Sequence, residues 1–150
     1  MLTNDDGINA PGIRAMYDVR SDHAAVTVVA PADNQSASGR SLTYGRLESD
    51  DNAVDSIDLQ DKKFSCVVPH RAHESGYVIK GTPCDCVVVG VNALNPTPDI
   101  VVSGCNPGAN VGAYVFTRSG TVSAAYEAAC LGVPRLPSPS IRSDSRHRSN

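Results

Sequence analysis

The chain has 150 residues, 41% of them hydrophobic and 19% charged, with a formal net charge of −3. That mixture suffices for one globular core, and its slight acidity excludes a general nucleic-acid binder, which would carry a basic face. The lack of an apolar run near the roughly 20 residues of a membrane helix, of a basic and apolar leader, and of regularly spaced cysteines points to a cytoplasmic protein without a disulfide framework. Met1-Leu2-Thr3 supplies a short first strand. A helix is predicted from Pro11 to Val19, because Pro11 suits a first helical turn and Ile13, Met16 and Tyr17 recur at helical spacing. Ala24 to Ala30 is a β-branched apolar run ended by Pro31, the pattern of a strand buried on both faces. Ser41 to Gly76 is polar and irregular, and reads as a hairpin or long excursion from the sheet. At Thr82-Pro83-Cys84-Asp85 a second helix begins: Thr82 can cap, Pro83 takes the first helical position, and Asp85 can reach back to the cap amide. Val87, Val88, Val91 and Leu94 continue it to a stop before Pro96. Asp99 to Ser103 is another buried strand, halted at Gly104, and a last helix runs from near Gly120 through Leu131 to Gly132 and Pro134. Apolar strands alternating with helices imply an α/β fold with a parallel sheet covered on both faces.

In such a sheet ligands bind at the carboxyl ends of the strands. Three of these ends carry unusual polar groups: Asn4-Asp5-Asp6-Gly7, Pro31-Ala32-Asp33-Asn34-Gln35-Ser36, and Ser103 through Gly112. If the strands run parallel, the fold brings the three loops to one edge. Adjacent carboxylates with amide and hydroxyl oxygens nearby form an all-oxygen site, which suits Mg²⁺ or Mn²⁺. The spacing Gly104-x-Asn106-x-Gly108-x-Asn110-x-Gly112 lets backbone N–H groups close on an anion while Asn side chains offer carbonyls or amides. Ser119-Gly120-Thr121 opens the last helix, where free amides and two hydroxyls can cradle phosphate. Neither the dinucleotide fingerprint nor the Walker pattern is present.

Each feature also has a plainer reading. Asp-Asp-Gly is a turn signal, and Ser119 can simply cap its helix. A zinc site from Cys84, Cys86, His70 and His73 is the weaker metal alternative, since Cys84 and Cys86 are two apart on a helix and face different ways. The acidic residues from Glu48 to Asp61 read as a solvated surface.

Five ordered motifs resemble those of the SurE family, the survival-protein nucleotidases. They are Thr3-Asn4-Asp5-Asp6-Gly7-Ile8 with Ala10-Pro11-Gly12, then Val29-Ala30-Pro31 with Asn34-Gln35-Ser36, and Gly81-Thr82-Pro83-x-Asp85-Cys86-Val87. The fourth runs from Asp99 to Gly112, and the fifth is Ser119-Gly120-Thr121-Val122-Ser123-Ala124-Ala125 with Glu127. The resemblance implies a Rossmann-like three-layer α/β/α fold and a divalent-metal-dependent phosphatase acting on nucleoside 5'- and 3'-monophosphates, assembled as a homodimer or homotetramer. By motif position, Asp5, Asp6, Ser36 and Asn106 would hold one Mg²⁺ or Mn²⁺. Asn110, Gly108 and the Ser119-Gly120-Thr121 turn would lie against the phosphate. Asp5 or Asp6 could also serve as base. An aspartyl-phosphate route is the rival mechanism, although the adjacent Asp pair lacks the Asp-x-Asp arrangement of such phosphatases.

The family usually has about three more residues before Thr3, and residues Asp50 to Glu74 look longer than usual. Past Pro134 it continues with a strand resembling Ala-Ile-Ala-Val-Ser and a substantial second part. Here Arg135-Leu136-Pro137-Ser138-Pro139 and an Arg/Ser-rich stretch follow instead. The expected division is therefore an incomplete family domain over residues 1–134 and a non-family tail over 135–150, either disordered or the product of a frameshift. Dropping the first base of GCG ATT GCC GTC TCC turns Ala-Ile-Ala-Val-Ser into Arg-Leu-Pro-Ser-Pro. An inactive or unstable fragment that keeps at most nucleotide or anion binding is the competing expectation.

Overall fold

The structure, a computed structural model, describes residues 1–43, 45–46, 55–58, 66–94, 98–106 and 112–138. In chain order the elements are β1 (Leu2–Thr3), α1 (Pro11–Ser21), β2 (Val28–Pro31), β3 (Gly45–Arg46), β4 (Asp55–Asp58), β5 (Cys66–His73), β6 (Gly76–Ile79), α2 (Pro83–Val89), β7 (Val101–Ser103), α3 (Ala113–Arg118), α4 (Gly120–Cys130) and β8 (Arg135–Pro137). A π-helical turn, Gly90–Leu94, extends α2. The sheet order is β3-β5-β6-β2-β1-β7-β8, with β4 paired to β5 off this path. The β6-β2-β1-β7-β8 stretch is parallel throughout, while β5 runs antiparallel to both β6 and β4.

Alternation along the strands distributes the core between two faces. Leu2, Val28, Ala30, Val78 and Val102 point toward α1, where they meet Ile8 and Ile13, with Met16 and Tyr17 packed at the margin. Val29, Ile79 and Val101 point the other way, against Cys86, Val87 and Val89 of α2 and Ala124 and Ala128 of α4. Each fully buried valine or isoleucine here contributes about 1.5–3 kcal/mol of apolar transfer, and the result is the expected three-layer α/β/α arrangement. Alanines on α4 let that helix sit close to the sheet and to α2.

The capping at Thr82 follows the sequence reading. The Asp85 backbone N–H donates to Thr82 Oγ1 at 3.2 Å, and the Thr82 N–H donates to Asp85 Oδ2 at 2.8 Å. Other details differ. The strand expected over residues 24–30 starts only at Val28, where its partners Leu2 and Gly76 begin, and it includes Pro31. Proline is tolerated at that end because the next amide, Ala32 N–H, resumes the ladder by donating to the Ile79 carbonyl at 2.8 Å. The excursion after Ser41 contains the β5–β6 hairpin, and α3 was not expected at all.

Past residue 134, where the expected family domain ends, the sheet gains one more strand. Arg135–Pro137 pairs in parallel with β7, in the register Val101↔Arg135 and Ser103↔Pro137. The Val101 N–H donates to the Pro134 carbonyl and the Ser138 N–H to the Ser103 carbonyl, each at 2.8 Å. Backbone pairing demands no particular side chain. All three β8 residues are exposed, which is why their composition carried no strand pattern.

Candidate metal and phosphate site

The first strand delivers Asn4, Asp5 and Asp6 to the carboxyl edge of the sheet, and Asn4 shapes the turn they make. Its side chain, wholly buried, donates from Nδ2 to the Gly7 carbonyl at 3.0 Å and accepts from the Gly7 N–H at 3.2 Å. That reciprocal pair closes the turn on which the two carboxylates sit.

The loop after β2 is tied to this turn. The Gln35 N–H donates to the Asp5 carbonyl at 2.7 Å, and Asn34 Nδ2 reaches Asp6 Oδ1 at 3.3 Å. The Ser36 N–H donates to Asn34 Oδ1 at 2.8 Å, which sets exposed Ser36 next in line. The loop after β7 enters from the other side. The Gly104 N–H donates to the Thr3 carbonyl at 2.9 Å, and a Cβ added at Gly12 would run into the Cys105 carbonyl. Glycine at the first turn of α1 thus admits the segment that ends in half-buried Asn106. Gly108 and Asn110 lie outside the described residues.

The fourth wall is the start of α4. Thr121 Oγ1, buried, donates to Asp5 Oδ1 at 2.7 Å. Gly120 packs so tightly that an added Cβ would fall 2.6 Å from Asp5 Cβ and 2.9 Å from Pro83 Cγ. Ser119 Oγ accepts from the Val122 N–H at 3.3 Å and so caps the helix. Of the three residues in this turn, Thr121 orients a carboxylate and Ser119 satisfies a helix amide. Ser119 thus makes the helix cap of its plainer reading.

Among the described residues the pair has no cationic partner. Burial pushes the Asp6 carboxyl above the usual carboxylate range; the Asp5 charge adds to this and the Asn34 hydrogen bond opposes it. Among the described residues the ion pair found is Arg40–Glu127, and neither Asp5 nor Asp6 has a lysine or arginine within ion-pair distance. Two adjacent carboxylates, one of them 3% exposed, with amide and hydroxyl oxygens around them and no basic side chain among the described residues, suit a hard cation by the chemistry of their donors.

The zinc alternative does not form: among the described residues no three His, Cys, Asp or Glu side chains gather to hold an ion. Burial, with Glu127 adding, pushes the Cys84 thiol up to about 12, and burial raises Cys86 as well. Sequence reasoning missed Asn34 as a partner of Asp6. Its place two residues before Ser36, at a strand end, was the available signal. A separate cleft between α1 and the β5–β6 turn, lined by Ile8, Ile13, Tyr17 and His73 among others, shares no residue with this cluster. Among the described residues no helix is long and apolar enough to cross a membrane.

The profile of the family described as survival protein SurE matches residues 1–146. The chain is 52% identical over 136 residues to the 5'-nucleotidase SurE of Natronomonas pharaonis, covering 91% of this chain and 44% of that protein. It is 43% identical over 137 residues to the 5'-nucleotidase SurE of Syntrophobacter fumaroxidans, covering 48% of that protein. The chain thus spans about half the length of the curated relatives it matches. The crystal structure of the SurE protein from Aquifex aeolicus superposes with a TM-score of 0.72 at 36% identity, covering 91% of this chain and 48% of that one.

Proposed function

The chain belongs to the survival protein SurE family, and we propose that it serves as a divalent-metal-dependent phosphatase that hydrolyses nucleoside 5'- and 3'-monophosphates. The observation that carries this reading is the Asp5–Asp6 pair, held at a strand end against the start of α4 with no basic side chain among the described residues to neutralise it. Relatives named 5'-nucleotidase support the reaction class.

In this reading Asp5, Asp6, Ser36 and Asn106 hold one Mg²⁺ or Mn²⁺. Such an ion supplies Lewis acidity toward a phosphoryl oxygen and toward water. The protein does the rest. Thr121 fixes the Asp5 carboxylate in one rotamer, so little reorganisation accompanies ion or substrate entry. Either carboxylate would serve as base, and Asp6 is the more exposed of the two. By motif position Gly108 and Asn110, with the Gly120 N–H at the start of α4, would bind the phosphoryl oxygens.

Phosphate release from a panel of nucleoside 5'-monophosphates, nucleoside 3'-monophosphates and a simple aryl phosphate, with Mn²⁺ or with chelator, tests the proposal. Mn²⁺-dependent release from the nucleotides supports it. Nucleotide binding without release makes the chain a binding module, and release that survives chelation removes the metal from the account.

A further inference from the structure

The segment from Gln35 to Thr43 crosses from the Asp5–Asp6 turn to the start of α2 as a strap over α3 and α4. It leaves the turn through the Gln35 N–H to Asp5 carbonyl bond and bends at Ala37, whose φ of +64° is a conformation that L side chains rarely adopt. Such a bend persists only where its surroundings hold it. In mid-course the Gly39 N–H donates to the Arg118 carbonyl at 3.0 Å. Arg40 lies 4.0 Å over the Tyr126 ring and 3.5 Å from Glu127 Oε2, with its own side chain half exposed. Contacts of that exposed kind are weak anchors.

The far end is different. Asp85, 1% exposed, accepts from the Thr43 N–H at 2.8 Å and from Thr43 Oγ1 at 2.6 Å, while its Oδ2 also takes the Thr82 N–H at 2.8 Å. Thr82 Oγ1 adds a bond of 2.6 Å to the Ser41 carbonyl. A buried carboxylate with three short donors is the firmest fixture on the strap. The helix it caps places Pro83 against Gly120, beside Asp5.

We infer that Asp85 is a positioning residue. By clamping Thr43 it tensions the strap that carries Ser36, and through the same helix start it braces α4 against Asp5, so that the donors from two loops share one geometry. This rests on the metal-phosphatase reading for the role of Ser36; the clamp itself does not.

The test uses the whole 150-residue chain with Thr43→Val, which removes the hydroxyl donor but leaves the Thr82–Asp85 cap intact, and Thr43→Ser, which restores it. Two readouts are independent of turnover. Trypsin cleavage after Arg40, followed by mass spectrometry, reports strap mobility, and calorimetric Mn²⁺ titration reports the site. Thr43→Val is expected to be cut several-fold faster and to bind Mn²⁺ about tenfold more weakly, the lower end for partners of metal ligands. Its melting curve should stay cooperative, and Thr43→Ser should match wild type in both readouts. Unchanged cleavage overturns the clamp. Faster cleavage with unchanged Mn²⁺ affinity overturns the link to the site. Wild-type protein that binds no Mn²⁺ overturns the nucleotidase reading and the assignment of Ser36, whereas the cleavage rate still decides the clamp.

Discussion

Thr121→Val isolates a buried side-chain contact of the candidate site. The substitution keeps volume and β-branching but deletes the hydroxyl that donates to Asp5 Oδ1 at 2.7 Å. Asp5 is 3% exposed, so water cannot readily replace the lost donor. A hydrogen bond to a charged group contributes about 1.5–3 kcal/mol, and leaving a buried acceptor unpaired incurs that full cost. For a chain of this size about 2–4 °C accompanies each kcal/mol, so the melting temperature should fall by about 3–12 °C. The freed carboxylate should also bind Mn²⁺ at least about tenfold more weakly, since tenfold corresponds to about 1.4 kcal/mol. Thermal melts by far-UV circular dichroism, with and without Mn²⁺, measure both effects when Thr121→Ser is run beside them. If Thr121→Val melts within about 1 °C of wild type, or Thr121→Ser falls equally far, the hydroxyl does not hold Asp5 and the reasoning fails.

Gly120→Ala should destabilise the fold by about 1–3 kcal/mol, because its Cβ would fall 2.6 Å from Asp5 Cβ and force α4 outward; a chemical denaturation midpoint unchanged from wild type would contradict the packing. Asp6 carries a raised pKa, so its contribution to apo stability is full below the unfolded carboxylate range and is lost as pH rises through its folded value. Asp6→Asn should therefore raise the apo melting temperature at pH 7, by no more than about 1 °C because the group is only partly buried, and give no gain below pH of about 3.9. Protons compete with the cation at the same carboxylate, so wild-type Mn²⁺ affinity should weaken as pH falls through the raised Asp6 pKa; a calorimetric titration showing no such dependence would count against Asp6 as a ligand.

The parts of this molecule that were legible in the sequence are those in which local chemistry and tertiary demand coincide. Thr82-Pro83-Cys84-Asp85 specifies its capping box by residue type alone, and the structure forms both of its hydrogen bonds. Val101 and Val102, buried on opposite faces of the sheet, could only belong to a covered strand. That the loops opening at Asn4, Pro31 and Ser103 meet at one edge followed from parallel topology, and the Gln35 N–H to Asp5 carbonyl and Gly104 N–H to Thr3 carbonyl bonds tie their described parts together; the Thr121–Asp5 bond that brings in the start of α4 was not foreseen. Elsewhere the determinants are not local. Arg135–Pro137 becomes a strand because β7 offers an open edge, not because arginine or proline favours one. Val28 starts β2 where its neighbours start, so the apolar residues before it stay outside the sheet. Helix α3 buries none of its residues, so it leaves no core-facing stripe to detect. The long bond from Thr43 to Asp85 joins positions 42 apart, and nothing in either tripeptide announces the partner.

The central claim is that the Asp5–Asp6 pair makes phosphate-ester hydrolysis depend on a divalent ion. Phosphate release from a nucleoside 5'-monophosphate, followed across a Mn²⁺ titration for wild type and for Asp5→Asn of matching fold by circular dichroism, addresses it most directly. Saturable, Mn²⁺-dependent release in wild type and loss of about two orders of magnitude or more in the variant are the expected result. Equal release by the two proteins, or release indifferent to Mn²⁺, would contradict the account.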